Sequence, residues 1–399
     1  MRSAIKQGRR GQANSTRGNA AGVESLENRR HLAADVSVVM SGLDNPRGME
    51  LGPQGALYVA EAGRGGGPGA PSIVLRGTPL FYGQTGAVSR LWKGEQERVA
   101  TGLPSIAQAN GNEGGGPNGI SFNGAGNAYV AIGFGALPSL RGGLGAAGAG
   151  FAQLVRLKPN GNWSPVADLG TYEGSANPDG RQLDTNPFGV LASPGGGVVV
   201  TDSGGNSLLR VDNHGTISTL AVMPLLPPPL AFSGDPVPTG FAVGPDGAYY
   251  VGILSGAPFR DGAANVYRVV PGEAPTVFRG GFKTVIDVDF DDDGNLYVLQ
   301  HSGGPAGLAA PGSLVRVAPD GTRSTVLEGL TAPTSMEVAR DGTVYVTNFG
   351  VTAGQGQVLR VRLSEPAAAG FSSSPAISSG PTSTDEDDNV LGGAADLFS

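Results

Sequence analysis

Six copies of one short pattern constrain this chain more than any other feature of its sequence. In each copy a glycine is followed three residues later by a large apolar or aromatic residue, which is Tyr in five of the six. The pairs are Gly55/Tyr58, Gly126/Tyr129, Gly196/Val199, Gly247/Tyr250, Gly294/Tyr297 and Gly342/Tyr345. Their glycines are separated by 71, 70, 51, 47 and 48 residues. Repeats of this length indicate a fold built from several equivalent units.

Each copy also carries the signals of four antiparallel strands, named A to D here. Strand A opens with a small or polar residue seven positions before the glycine: Gly48, Gly119, Gly189, Gly240, Asp287 and Ser335. The large residue lies on strand B. Strand C is an apolar stretch around an arginine: Arg90, Arg156, Arg210, Arg268, Arg316 and Arg360. Asn-Gly or Asp-Gly turns then lead to strand D. Four-stranded units of about 40 to 50 residues are typical of β-propeller blades.

The two ends of the repeat region indicate how the ring closes. The sixth unit ends with strand C at residues 358–361 and lacks a strand D, whereas residues 37–43 precede the first strand A as residues 324–330 precede the last one. We therefore predict an all-β fold, a six-bladed β-propeller over residues 36–363, in which the N-terminal strand completes the last blade. Such closure removes an open strand edge.

Composition agrees with a folded β protein. The 68 Gly and 30 Pro disfavour a mainly helical chain, and 39% hydrophobic against 15% charged residues favours a packed core over disorder. The lack of Cys excludes disulfides, thiol catalysis and thiolate metal sites.

Charge separates the propeller from two predicted disordered tails, residues 1–35 and residues 364–399. The tails carry +4 and −6, and the body between them carries −5. The acidic body has no basic stripe, so we expect no nucleic-acid partner. No apolar run reaches the roughly 18 residues of a membrane span, so we expect no membrane-spanning segment.

One face of the predicted propeller collects its long loops. The A–B and C–D hairpins project from the opposite face, while this loop face carries residues 61–87, 133–153, 255–265 and 301–313. Loops on a rigid scaffold often carry binding groups. Strand A begins on the loop face, so the mouth of the channel should be ringed by Asn45, Arg47, Asn118, Asn186, Thr239, Asp287 and Ser335.

Polar residues at this face are the candidate site. The ligand-binding candidates are Asn45, Arg47, Glu61, Asn118, Asn186, Asp202, Asn206, His301 and Asn348. Carboxylate and amide oxygens are also what Ca²⁺ prefers, and the metal candidates are Glu61, Asn186, Asp202 and Asp287. Alternatively, such residues cap loops through local hydrogen bonds to the backbone.

Several other patterns favour structural roles. His301 is the only His suitably placed for a Ser-His-Asp arrangement, and no nucleophile-elbow pattern accompanies it. Residues 289–294 mimic the start of an EF-hand loop, yet the twelfth position is Gln300 instead of Glu. The Gly-rich segments 63–69 and 142–150 lack P-loop spacing. An arginine that recurs in every unit indicates a structural contact.

Several segments resemble the ScyD/ScyE family of exported propellers related to NHL repeats, named for scytonemin biosynthesis. These segments are residues 42–48, 57–63, 99–105, 177–180, 202–206, 243–252 and 347–350. The family has no agreed catalytic group. Residues carried over from its motifs on the loop face are Arg47, Glu61, Asp202, Asn206 and Asn348.

Residues 23–34 look like the Leu-Glu-x-Arg-x-Leu-Ala motif of planctomycete surface proteins, although residues 1–35 lack the apolar region of a secretory leader. By analogy we expect an extracellular, cell-surface or periplasmic protein.

Two functions stay open on the sequence. The first is an exported binding module for a small molecule or a surface or protein partner. The alternative is a metal-dependent propeller enzyme, resembling lactonases or strictosidine synthase, with a divalent ion in its channel.

Overall fold

The six repeats form six blades around a central channel, so the predicted fold class is confirmed. The computed structural model describes residues 34–124, 126–193, 196–227, 234–302 and 310–363. The sorting-type motif lies outside these ranges, except for Ala34, and stays a prediction. No helix in the described ranges is long and apolar enough to cross a membrane.

Blades 1 to 3 follow one another along the chain. Blade 1 comprises β2 (Pro46–Leu51), β3 (Leu57–Glu61), β4 (Ser72–Leu75), β5 (Thr78–Trp92) and β6 (Glu95–Ala107). Blade 2 comprises β7 (Pro117–Phe122), β8 (Ala128–Ile132), β9 (Gln153–Leu157) and β10 (Trp163–Asp168). Blade 3 comprises β11 (Pro187–Ala192), β12 (Val198–Asp202), β13 (Ser207–Val211) and β14 (Ile217–Val222).

Blades 4 to 6 complete the ring. Blade 4 comprises β15 (Pro238–Val243), β16 (Tyr249–Ile253), β17 (Ala264–Val269) and β18 (Thr276–Phe282). Blade 5 comprises β19 (Val285–Phe290), β20 (Leu296–Gln300), β21 (Gly312–Val317) and β22 (Arg323–Leu330). Blade 6 comprises β23 (Met336–Val338), β24 (Val344–Asn348), β25 (Ala353–Leu363) and the N-terminal strand β1 (Ala34–Asp44). The predicted closure by β1 is therefore present.

Blade 1 differs from the predicted four strands. Its B–C connection contains β4, which pairs with the first part of β5 and gives a five-stranded sheet. Two other connections on the loop face hold short helices. Two short 3-10 segments separated by a kink at Gly145 span Pro138–Gly150 in blade 2, and α1 (Leu169–Ala176) follows β10. Asp168 caps α1 by accepting a hydrogen bond from the Thr171 amide.

Strand register explains why each repeat keeps both a large residue and an arginine. They are direct partners across strands B and C in every blade: Tyr58 and Arg90, Tyr129 and Arg156, Val199 and Arg210, Tyr250 and Arg268, Tyr297 and Arg316, Tyr345 and Arg360. Directly opposed side chains are the pairs that stabilise a sheet. The hairpin glycines all have positive φ, from 70° at Gly55 to 92° at Gly196, a conformation that other residues rarely adopt.

Neighbouring inner strands touch at the small residue that opens strand A. A Cβ on Gly48 would lie 2.6 Å from the Asn118 carbonyl oxygen, and one on Gly189 would lie 2.9 Å from the Phe241 ring. Glycine fits here because the next strand leaves no room for a side chain. The core lies between the faces of adjacent blades. One buried cluster joins Ala131 of blade 2 to Val200 of blade 3.

Candidate functional site

The innermost strands of the six blades surround a channel cavity of about 280 Å³. This volume lies just below the roughly 300 Å³ at which ligand pockets in proteins usually begin, so the cavity has room only for a small molecule. Strands β2, β7, β11, β15, β19 and β23 supply its wall. The wall is acidic on one side, and apolar residues line part of the other.

The acidic half consists of four carboxyl groups on three consecutive blades. They are Glu50 of blade 1, Asp287 and Asp289 of blade 5, and Glu337 of blade 6. Glu50, Asp289 and Glu337 occupy the same repeat position, two residues after the one that opens strand A. Each accepts a backbone amide hydrogen bond from the next blade, from Phe122 at 3.1 Å, Val338 at 2.8 Å and Leu51 at 3.0 Å respectively.

Asp287 makes a related bridge one layer nearer the loop face. Its Oδ2 accepts hydrogen bonds from Ser335 Oγ at 2.8 Å and from the Met336 amide at 2.9 Å. Ser335 Oγ in turn accepts one from the Met49 amide at 3.2 Å. These bonds satisfy amide groups on the open edges of the inner strands, and they hold the four carboxyl groups in place.

The channel shifts the protonation of these acids. Burial away from bulk water raises the pKa of Glu50 and of Asp287 to about 7. It also raises the pKa of Asp289 and the pKa of Glu337, and neighbouring carboxylates add to both shifts. Near neutral pH the group therefore shares protons, because full ionisation would place four like charges around one small cavity.

The described lining residues of blades 3 and 4 include no acid. Among them are Phe188 and Leu191 on β11 and Val243 on β15, while Val190 and Phe241 also belong to the buried clusters between neighbouring blades. No described residue around the cavity is Lys, Arg or His. The channel thus combines negative charge on one side with apolar residues on the other.

Arg47 and His301 lie near each other on the loop face. The Arg47 guanidinium donates to the carbonyl oxygens of Gly350 at 3.3 Å and Gly114 at 2.6 Å. Burial lowers the pKa of Arg47 to about 10. His301 Nδ1 contacts the Pro333 carbonyl oxygen at 2.8 Å, and burial together with the nearby Arg47 charge lowers the pKa of His301. Arg47 thus stays charged near neutral pH while His301 is mainly neutral.

Three more candidates form one chain of hydrogen bonds. Asn118 Nδ2 donates to Asn186 Oδ1 at 3.4 Å and to the Pro187 carbonyl oxygen at 2.8 Å. The Asn186 amide donates to Asp202 Oδ1 at 2.7 Å. Asp202 is fully buried, and Thr185 Oγ1 occupies its other oxygen at 2.8 Å. These contacts order the start of blade 3.

The candidates of blade 1 are engaged separately. Asn45 Nδ2 donates to the carbonyl oxygens of Gly63 and Gly111 at 2.7 and 2.8 Å. Glu61 is fully buried, and four donors surround its carboxylate. These are the Asp44 amide at 2.7 Å, Ser89 Oγ at 2.6 Å, and Arg98 Nε and Nη2 at 3.0 and 2.6 Å.

The last two candidates also hold loops. Asn206 Nδ2 donates to Asp179 Oδ2 at 2.9 Å, which joins residues 177–180 to residues 202–206. Asn348 Oδ1 accepts a hydrogen bond from the Thr331 amide at 2.7 Å. In the EF-hand-like stretch, Asp291 Oδ1 accepts hydrogen bonds from the Asp293 and Asn295 amides at 3.1 and 2.8 Å, within the turn between β19 and β20.

The four residues predicted as metal ligands lie in different surroundings. Asn186 and Asp202 are bonded to each other, whereas Glu61 belongs to blade 1 and Asp287 to blade 5. Across the described ranges, no three His, Cys, Asp or Glu side chains are grouped so that they could hold a metal ion.

Sequence reasoning missed three of the four channel acids, Glu50, Asp289 and Glu337. A signal for them exists in the aligned repeats. Two residues after the start of strand A, blades 1, 5 and 6 have an acid, whereas blades 3 and 4 have Leu191 and Ala242. Alignment of the six copies by this position would have found the acidic side of the channel.

No protein-family model matches the chain, and no curated protein matches it. A solved structure of a protein of unknown function from Bacteroides thetaiotaomicron is similar, with 12% identity over 84% of this chain and 77% of its own, at a TM-score of 0.52. Regucalcin, a calcium-binding protein from Agrobacterium tumefaciens, is 13% identical over 82% of this chain and 92% of its own, at a TM-score of 0.48. A gluconolactonase from Xanthomonas campestris is 12% identical over 84% and 91%, also at 0.48. At such identities a likeness concerns the fold alone, and the strand order makes this chain a six-bladed β-propeller.

Proposed function

We propose that this protein is a binding propeller whose ligand is a small organic cation with an apolar part, held in the central channel. The observation that supports this most is the cavity wall, which carries Glu50, Asp287, Asp289 and Glu337 on one side and apolar residues such as Phe188 on the other. An ammonium group would offset the repulsion between the acids, and an apolar body would cover the opposite wall.

The fixed positions of the acids support binding over a flexible electrostatic attraction. Each is tied to an amide of the next blade, so little side-chain freedom would be lost when a ligand enters. Binding would also release protons. A cation lowers the pKa of nearby carboxyl groups, and the pKa of Glu50 and of Asp287 starts at about 7.

The experiment is calorimetric titration with phenethylammonium and with its neutral analogue 2-phenylethanol. We expect the cation to bind at least about tenfold more tightly than the alcohol, since only the cation gains from the acids. The measured heat should depend on the ionisation enthalpy of the buffer, because protons leave the channel. Glu337→Gln and Asp287→Asn should each weaken cation binding, again by about tenfold.

Glu97→Gln is the matched control, since Glu97 is an exposed carboxylate that pairs with Arg90 on the outer strands of blade 1. It should leave cation binding unchanged. Equal affinity for the alcohol and the cation would contradict the proposal. A protein that binds neither compound would contradict it as well. An equal loss in Glu97→Gln and Glu337→Gln would mean that the attraction is a general surface effect.

The ScyD/ScyE-like segments and the sorting-type motif extend this proposal to a binding protein outside the cytoplasm. The alternative, a metal-dependent enzyme, would need oxygen ligands that converge on an ion. Asp287 is the predicted ligand that lies on the channel wall, and both donors on its Oδ2 belong to blade 6. The organic-cation proposal therefore has the better geometric support.

A further inference from the structure

Glu173 is a buried carboxyl group outside the channel that lacks part of its hydrogen bonding. It lies on α1, and only 1% of the residue is exposed. Its Oε1 is buried and has no hydrogen-bond partner in the described part of the chain. An unsatisfied buried carboxylate oxygen costs free energy, so a missing partner has to be sought.

Two more oxygen acceptors in this segment are also buried without a hydrogen-bond donor. Asn177 Oδ1 and Asp184 Oδ1 are also buried without a partner among the described residues. Both residues lie near Glu173. The Asn177 amide donates to the Glu173 carbonyl oxygen at 3.0 Å, and the Asp184 carboxylate is close enough to help raise the pKa of Glu173. The connection between α1 and β11 thus holds three oxygen acceptors that lack donors.

The surroundings of Glu173 are acidic, whereas Asp184 lies near both Arg76 and Asp235. Burial raises the pKa of Glu173 to about 8, and the charges of Asp202, Asp179 and Asp184 add to the shift. Asp202 approaches closely, because a Cβ on Gly205 would lie 2.7 Å from Glu173 Oε2 and 3.4 Å from Asp202 Cγ. Asp202 cannot supply a donor, since its own oxygens accept from four groups.

We propose that the segment from Glu173 to Asp184 binds Ca²⁺, with the side-chain oxygens of Glu173, Asn177 and Asp184 as ligands. Ca²⁺ takes six to eight oxygens from carboxylates, amides, carbonyls and water, so two carboxylates and one amide are a suitable partial set. The small number of charges predicts weak binding, with a Kd of about 10⁻⁴ to 10⁻³ M, as in extracellular modules. The site is separate from the channel.

The test uses the full chain after treatment with a chelator. Addition of about 10 mM CaCl₂ should raise the Tm by about 2–4 °C, because an ion that binds only the folded state stabilises it. Tb³⁺, which takes the same ligands, should show luminescence sensitised by Tyr172, the neighbour of Glu173 in α1. Ca²⁺ should quench that luminescence by competition.

Three variants locate the ion. Glu173→Gln should abolish the Ca²⁺ shift in Tm, whereas Glu337→Gln in the channel should keep it. Tyr172→Phe should lose the Tb³⁺ luminescence and keep the Ca²⁺ shift. A wild-type protein with neither signal would overturn the proposal and leave ordered water as the partner of these oxygens. A Ca²⁺ shift that persists in Glu173→Gln would also overturn it. Either result leaves cation binding in the channel untouched, since that is measured with organic probes.

Discussion

At the scale of single residues, buried charged side chains hold segments of the loop face together. Glu61 shows this best, because its carboxylate accepts hydrogen bonds from Asp44 on β1, Ser89 on β5 and Arg98 on β6. Its partner Arg98 also bonds Asp44 Oδ2 at 3.0 Å, and Arg64 contacts the same carboxylate. The Glu61 carboxylate raises the pKa of Arg98, as a close opposite charge should. Glu61 therefore acts as the centre of a network that fixes β3 against β1 and β6.

We predict that Glu61→Gln destabilises the protein by about 2–4 kcal/mol, because an amide cannot accept from all four donors at once. The largest loss should come from the buried Asp44 amide and Ser89 Oγ, since Arg98 is 41% exposed and can turn to water. Urea unfolding measures this. Glu97→Gln on β6 breaks an exposed ion pair and should cost less than about 0.5 kcal/mol. Similar losses in the two variants would show that the Glu61 network adds little.

At the scale of secondary-structure elements, β1 closes the ring by pairing with β25 and by burying one of its side chains between the first and last blades. It pairs antiparallel with β25 from Ala34–Leu363 to Asp44–Ala353. Leu43 is fully buried in a cluster with Met49, Val59 and Val358, so it joins the first and last blades. Val38 on the same strand is 53% exposed. The strand thus combines a buried residue that joins blades with one that faces solvent.

We predict that Leu43→Ala lowers the free energy of unfolding by about 2–5 kcal/mol through the cavity it leaves. Val38→Ala, with an exposed side chain, should change it by less than about 0.5 kcal/mol. Chemical denaturation of both variants decides this. If the two variants were equally stable, β1 would contribute its backbone pairing alone to ring closure.

At the scale of the whole molecule, the channel acids make stability depend on pH. Burial raises the pKa of Glu50 and of Asp287 to about 7, so the folded state binds more protons than the unfolded state between about pH 4 and pH 7. Their contribution to stability is complete below about pH 4 and is lost as the pH rises through about 7. Glu173 also loses its contribution to stability as the pH rises, and it extends the loss to about pH 8 because its pKa is raised to about 8.

Groups whose pKa is lowered in the folded state have the opposite effect, because they make the protein more stable as the pH rises. Burial lowers the pKa of His301, so its contribution improves as the pH rises toward the ordinary value near 6.5. The Thr343 amide lowers the pKa of Asp341, and this carboxylate loses its contribution only in more acidic solution. Between pH 5 and pH 8, the stability lost through the four channel acids and Glu173 therefore exceeds the stability gained through His301.

We therefore predict that the Tm falls between pH 5 and pH 8 in buffers without divalent ions. Asp287→Asn should flatten this slope, because the amide does not titrate and keeps an oxygen for Ser335 and Met336. Calorimetric scans at constant ionic strength measure both effects. A Tm that rises over this interval would falsify the assignment of raised pKa values to the channel.

The sequence by itself determined the number of blades, the strand order within them and the closure by β1. Those features depend on local and periodic signals, such as positive-φ hairpin glycines and the paired large residue and arginine of strands B and C. Such signals are easy to recognise in a repeat protein, because the same pattern recurs in every blade. The sequence also identified the loop face and residues such as Arg47 and Asn186 that lie on it.

Only the tertiary structure decided which polar groups meet. Glu50, Asp289 and Glu337 are far apart in the chain, and they approach because blades 5, 6 and 1 are neighbours in a closed ring. Likewise, Glu61 has a side chain that could bind a ligand, yet it accepts hydrogen bonds from Asp44, Ser89 and Arg98, which lie 17 to 37 residues away along the chain. Burial and hydrogen bonding depend on contacts across blades, and these arise from the packing of the whole ring.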